Sequence, residues 1–125
     1  MVARLALIPI ALATVAFLAA SCGDDGDCEA LQRQAADTFD AAIRASQGPC
    51  TRDSDCTIIG HSSACHDACS RVVLSSSLDA LAATRADIDE HQCREFSNAG
   101  CQLEVPPCDA PGSAVCVDGV CSEMY

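Results

Sequence analysis

Between Cys28 and Gln47, the residues Cys28, Leu31, Ala35, Phe39, Ala42 and Ile43 recur every three to four positions, which predicts an amphipathic helix. Asp24, Asp25, Asp27 and Glu29 crowd its N-terminal end, where the helix dipole favours negative charge, and Gly48-Pro49 stops it. Thr57-Ile-Ile59 predicts a short strand. Gly60 to Ser70 shows no period and reads as irregular loop. Helical spacing returns from Val72 to Gln92 through Leu74, Leu78, Leu81 and Ile88, with the serines at 75–77 blurring its start. Leu103-Glu-Val105 and Ala114 to Val117 are strand candidates around the Pro106-Pro107 break. Asp118-Gly119 between Val117 and Val120 is a two-residue hairpin turn, setting Cys116 opposite Cys121. The pattern has no internal repeat. It predicts a small disulfide-rich α+β domain, with two helices packed on a short antiparallel sheet.

The N-terminus follows a different pattern. Met1-Val-Ala-Arg4 carries one positive charge, Leu5 to Ala20 is uncharged and interrupted only by Pro9, and Leu18-Ala-Ala-Ser-Cys22 puts small residues before a cysteine. A basic start, a short apolar run and a small-residue cut describe a secretory signal. Sixteen apolar residues, rich in Ala and broken by Pro, are few for crossing a bilayer. Leu18 to Cys22 resembles the lipobox of bacterial lipoproteins, in which the first mature cysteine receives a diacylglycerol and its amine an acyl chain. That resemblance implies a cut before Cys22, lipidation of Cys22 and anchoring to a membrane, because two acyl chains hold where one is marginal. Ordinary secretion with a free N-terminus is the alternative. The chain then divides into a signal (1–21), an acidic tether (22–27) that spans at most about 20 Å, and a disulfide-rich globular domain (28–125).

Composition narrows the picture further. The 125 residues include 11 Cys, 3 Phe, 1 Tyr and no Trp, so the mature part has little with which to build a core. Small exported domains answer that shortage with cross-links. If Cys22 carries lipid, Cys28, Cys50, Cys56, Cys65, Cys69, Cys93, Cys101, Cys108, Cys116 and Cys121 remain, an even set that fits five disulfides. Their pairing is open. Two antiparallel helices would bring Cys28 near Cys93, and Cys116 and Cys121 would bond across their hairpin or reach other partners such as Cys56. No C-x-x-C occurs, which argues against a thioredoxin-like redox site and against covalent haem. The formal charge of −11, or −12 without Arg4, repels nucleic acid and anionic headgroups and suits a solvated, secreted surface.

Several residues invite a chemical role. His61, Cys65, His66 and Cys69 have zinc-ligand residue types, but in an oxidising compartment the cysteines pair and the histidines become surface loop residues. Asp53 and Asp55 alternate as in a calcium loop whose central Gly and closing Glu are absent. Arg52, between Cys50 and Cys56, has the setting of a bait residue on a disulfide-held loop of a serine protease inhibitor. Asp87 and His91 form an i, i+4 surface pair, and no G-x-S-x-G nucleophile setting is present.

With the lipobox, the C-T-R-D-S-D-C segment (50–56) and the C-V-D-G-V-C segment (116–121), the chain resembles the small cysteine-rich lipoproteins of myxobacterial type. The resemblance implies an envelope location, with Gly23 after the lipidated cysteine pointing to the outer membrane, and a general fold. It implies no reaction and no cofactor. The expected function is a non-enzymatic, membrane-anchored structural or binding module that takes no nucleic acid. A protease inhibitor or a metal-binding envelope protein is the alternative.

Overall fold

The computed structural model describes residues 25–125; the signal segment and Cys22 lie outside them. The chain is a small disulfide-rich α+β domain. It runs α1 (Asp25–Ala45), β1 (Cys56–Ser63), β2 (His66–Leu74), α2 (Leu78–Glu90), α3 (Gln92–Asn98), β3 (Ser113–Val117) and β4 (Val120–Met124), with 3-10 turns at Asp53–Asp55 and Ser75–Ser77. β1 pairs with β2 and β3 with β4, giving two antiparallel hairpins. The helices lie on the β1–β2 hairpin, and β3–β4 packs against the same hairpin.

The predicted first helix forms and begins earlier. Asp25, Gly26 and Asp27, read from sequence as tether, are already helical. Ala35, Phe39 and Ile43, four residues apart on one stripe, are buried with Val73, Leu81, Ile88, Phe96 and the bonded Cys65 and Cys93. Cys28, Leu31 and Ala42 of α1 pack around this core.

The segment Gly60 to Ser70 is not irregular. It is most of the β1–β2 hairpin, in register from Cys56 opposite Leu74 to Ser63 opposite His66. Its alternation is hidden by a bulge at which Cys69 and Ser70 on β2 face the single residue Gly60 on β1. An extra residue resets which side chains point inward. Val73 and His66, an odd number of positions apart, therefore share the helix-facing side and are both buried. Val72 to Leu74 belong to β2, so the second helix starts only at Leu78, after the serine turn. Ser side chains compete for backbone groups, and the ladder takes the β-branched residues.

The second helix was also expected to end at Gln92. Instead a short third helix continues from there to Asn98. Gly100, at φ 76°, ends it: Gly100 N donates to Ser97 O (3.0 Å) and Cys101 N to Phe96 O (3.2 Å). This pair of bonds is the Schellman arrangement, which satisfies terminal carbonyls and turns the chain back on the helix. Here it aims Cys101 at α1, and the bridge is Cys28–Cys101, not the expected Cys28–Cys93. Cys93 bonds Cys65 in the β1–β2 turn. Leu103 to Val105 are not a strand; residues 101–112 run without regular structure, tied by Cys69–Cys108. The C-terminal hairpin forms as expected, with Asp118 at φ 52° and Gly119 at φ 80°, the double positive φ that a tight hairpin turn requires. Cys116 and Cys121 are opposed, but bond to Cys50 and Cys56.

Phe39 is fully buried at the centre of the core. Phe39→Ala is expected to cost about 3–5 kcal/mol, through lost burial and the cavity left behind. Chemical denaturation with the disulfides intact checks it; a loss under about 1 kcal/mol would show that the cross-links, not this side chain, hold the layers together.

Candidate functional site

The structure takes the metal-type residues of the sequence apart. Cys65 and Cys69 are in disulfides with Cys93 and Cys108, so neither offers a thiolate. His61 and His66 are not surface loop residues. The hairpin carries them inward, where His61 is 2% exposed and His66 is also buried. They meet edge to face with ring centroids 5.2 Å apart, and Phe39 stacks on the other side of His61, also at 5.2 Å. The Arg85 guanidinium lies over Phe39 at 5.4 Å and donates to Gly60 O at 2.6 Å, fastening α2 to the bulge.

Asp40 Oδ1 sits 3.0 Å from His61 Nε2, but off the N–H direction, and neither His61 ring nitrogen makes a hydrogen bond to protein. His66 Nε2 is likewise unpartnered. Burial pushes the His61 pKa below 6.5; Asp40 opposes this, while His66, Arg71 and Arg85 add to it. Burial lowers His66 as well, against Asp40 and Asp67. Both rings are therefore neutral near pH 7. Among the described residues no hydroxyl or thiol is bonded to His61 Nδ1. A groove of about 380 Å³, lined by Ile59, Gly60, Leu78, Leu81 and Arg85, is open to solvent.

The Arg52 loop is clamped at both ends, by Cys50–Cys116 and Cys56–Cys121. Arg52 projects with 77% of its side chain exposed, yet its Nε donates to Asp55 Oδ1 at 3.1 Å. Asp55 also accepts from Thr51 N (2.8 Å), Thr51 Oγ1 (2.9 Å) and Arg52 N (3.2 Å). The Thr51 backbone bond, followed by Arg52, holds the Asp55 pKa down to about 2. Asp53 accepts from Cys116 N at 2.8 Å, docking the loop on β3. The three residues after Arg52 thus curl into a 3-10 turn, unlike the extended strand that a protease cleft pairs with. Both aspartates of the supposed calcium loop are engaged by backbone N–H groups of the protein. Asp87 and His91 make the expected surface pair, 3.2 Å apart.

The buried imidazoles and the two-bridge clamp are features that spacing alone did not reveal. The alternation of Ile59, His61 and Ser63 was a signal for the first; the bulge on β2 masked the matching signal at His66. Comparison of the chain with protein-family models, curated proteins and solved structures finds no match. Five disulfides mark it as an extracytoplasmic, cysteine-rich domain. Among the described residues, no helix is long and apolar enough to cross a membrane.

The buried rings set an acid limit on the fold. Well above pH 6.5 His61 and His66 are neutral whether folded or unfolded, and they add no pH dependence. As pH falls below 6.5 the unfolded chain takes up their protons first, so stability drops until the lower folded values are reached. Each ring contributes a slope of at most about 1.4 kcal/mol per pH unit. Asp55 acts lower: its latch is fully present above 3.8 and is lost as pH falls through about 2. Denaturation midpoints of wild type and His61→Phe between pH 7.5 and 4.5 are expected to diverge, the variant showing the shallower acid decline; parallel curves would exonerate the ring.

Proposed function

We propose that the protein is a lipid-anchored module of the bacterial cell envelope, similar to the small cysteine-rich lipoproteins of myxobacterial type, with a structural or binding role and no catalysis. In this reading residues 1–21 are a signal, Cys22 carries the lipid and the domain faces away from the cytoplasm, toward partners other than nucleic acid. One observation supports it above the rest: all ten described cysteines, Cys28 to Cys121, are joined to one another in five bridges, which leaves none of them as a partner for Cys22. A cysteine at that position in an exported chain then calls for a separate role, and the residues before it suit lipidation.

In this reading Cys22 precedes the described part of α1 by only three positions in sequence, which keeps the domain close to the lipid. The N-terminal end of α1 and the Cys28–Cys101 bridge then lie against the membrane. α1 is 21 residues long, about 31 Å at 1.5 Å per residue, and leads away from the lipid. At its far end Pro49 pairs with Val120 and Cys50 N donates to Gly119 O. The hairpin tip, with Val117 and Val120 exposed, is presented outward.

Expression of the full chain in a bacterial host, followed by membrane fractionation and intact-mass analysis, tests the anchor. Wild type is expected in the membrane fraction, its mass raised by a diacylglycerol and an acyl chain on Cys22. Cys22→Ser is expected to lose both mass and membrane association. An unmodified Cys22 in a soluble wild-type protein would reject the anchor and leave simple secretion.

A further inference from the structure

Two of the bridges are neighbours in space. The sulfurs of Cys50, Cys56 and Cys121 all lie within 4.8 Å of one another, the only such trio of His, Cys or carboxylate atoms among the described residues, and Cys116 is bonded to Cys50. The four cysteines come from two short stretches, the loop 50–56 and the hairpin 113–124. Both bonds run between the stretches: Cys50–Cys116 and Cys56–Cys121. A second pairing runs within them. Cys116 and Cys121 are direct cross-strand partners. Opposed residues of an antiparallel pair have Cα atoms about 4.5–5.5 Å apart, inside the range a disulfide spans. Cys50 and Cys56 already have their sulfurs within 4.8 Å.

We propose that Cys50, Cys56, Cys116 and Cys121 form a thiol–disulfide exchange cluster, in which reduction of one bridge by an external dithiol is passed to the other. A thiolate of the dithiol attacks Cys121 Sγ, the Cys56–Cys121 bond breaks, and Cys56 leaves as thiolate. The second thiol of the reagent closes on the mixed disulfide and frees Cys121, so the dithiol ends as a disulfide and the protein gains two electrons and two protons. Cys56 thiolate then attacks Cys50 Sγ. The Cys50–Cys56 bond forms, the Cys50–Cys116 bond breaks, and Cys116 departs as thiolate and takes up a proton. The product holds one bridge within the loop and two thiols, Cys116 and Cys121, facing each other across the hairpin. Thiolates are the attacking species, so exchange quickens as pH rises through about 8 to 9.

The exchange has a structural consequence. Cys69–Cys108 is the last other bridge along the chain, so residues 109–125 are covalently tied to the domain only through Cys116 and Cys121. After exchange the hairpin is held without a cross-link, by its packing on β1–β2, the Cys50–Gly119 and Asp53–Cys116 hydrogen bonds and the Pro49–Val120 bridge. The cluster is a clamp that a dithiol releases without opening the core.

Limiting dithiothreitol at pH 8, trapping with excess N-ethylmaleimide and peptide mapping of the two-electron-reduced fraction test the proposal. The expected result is a species labelled on Cys116 and Cys121 that contains a Cys50–Cys56 bond, its share growing with delay before trapping. In the double variant Cys50→Ser/Cys116→Ser the acceptor bridge is gone, and labels are expected on Cys56 and Cys121 alone. Labels confined to native pairs in wild type would overturn it, as would labels spread equally over Cys28, Cys65, Cys69, Cys93, Cys101 and Cys108.

Discussion

The disulfide framework is the constraint on which the rest depends, because the apolar core beneath it is thin. Nine residues are buried together, and two of them, Cys65 and Cys93, are themselves one bridge. The five bridges span separations from 28 to 73 residues. Closing loops of that size removes much of the freedom of the unfolded chain, and losing a native bridge from a small domain typically costs about 2–5 kcal/mol. Each bridge joins elements that the backbone ladders leave separate: α1 to the turn after α3, the hairpin turn to α3, β2 to the proline-rich loop, and the C-terminal hairpin to the loop and strand that precede it. α2 alone carries no cysteine. It is held by Leu81 and Ile88 in the core, by Arg85 on Gly60 and by Asp89 accepting from Ala64 N at 2.7 Å.

A core this small also accepts polar groups that a larger one would exclude. His61 and His66 take the place of aromatic side chains that the chain lacks, with His61 stacked on Phe39. Neutral imidazole is flat and compact enough for that role; its unpaired buried nitrogens carry a desolvation cost, and protonation raises it. The result is a domain whose interior reports on pH while its acidic surface stays solvated. The same scarcity of apolar surface explains why local latches are numerous, Asp55 in the Arg52 loop being the most connected.

The segments 50–56 and 116–121 are bound to each other by two bridges and packed at the far end of α1 from its N-terminus. Two stretches distant in sequence are thus a single structural unit. The loop spacing and the Asp118-Gly119 turn are what bring four sulfurs together. The same unit explains why the residues after Arg52 are curled and not extended, since Asp55 ties the turn to Thr51 and Arg52 while Asp53 holds the loop against β3.

The first helix, the C-terminal hairpin and the presence of a full disulfide set were legible in the sequence, because each rests on local chemistry: 3.6-residue periodicity, a turn that needs positive φ, and an even count of cysteines after Cys22. The β1–β2 hairpin, the inward turn of His61 and His66, the short third helix and the identity of every bridge were not. A bulge at Gly60 changes the parity of β2 without leaving a mark on composition. The Schellman turn at Gly100, which could have been read from Asn98-Ala-Gly100, redirects Cys101 in a way that matters only once α1 is beside it. The sequence by itself determined which residues had to be cross-linked and which short segments would turn or coil. Only the tertiary structure decided who bonds whom and which polar rings are buried, because those outcomes depend on distances between segments separated by 28 to 73 positions, and local spacing carries no information about them.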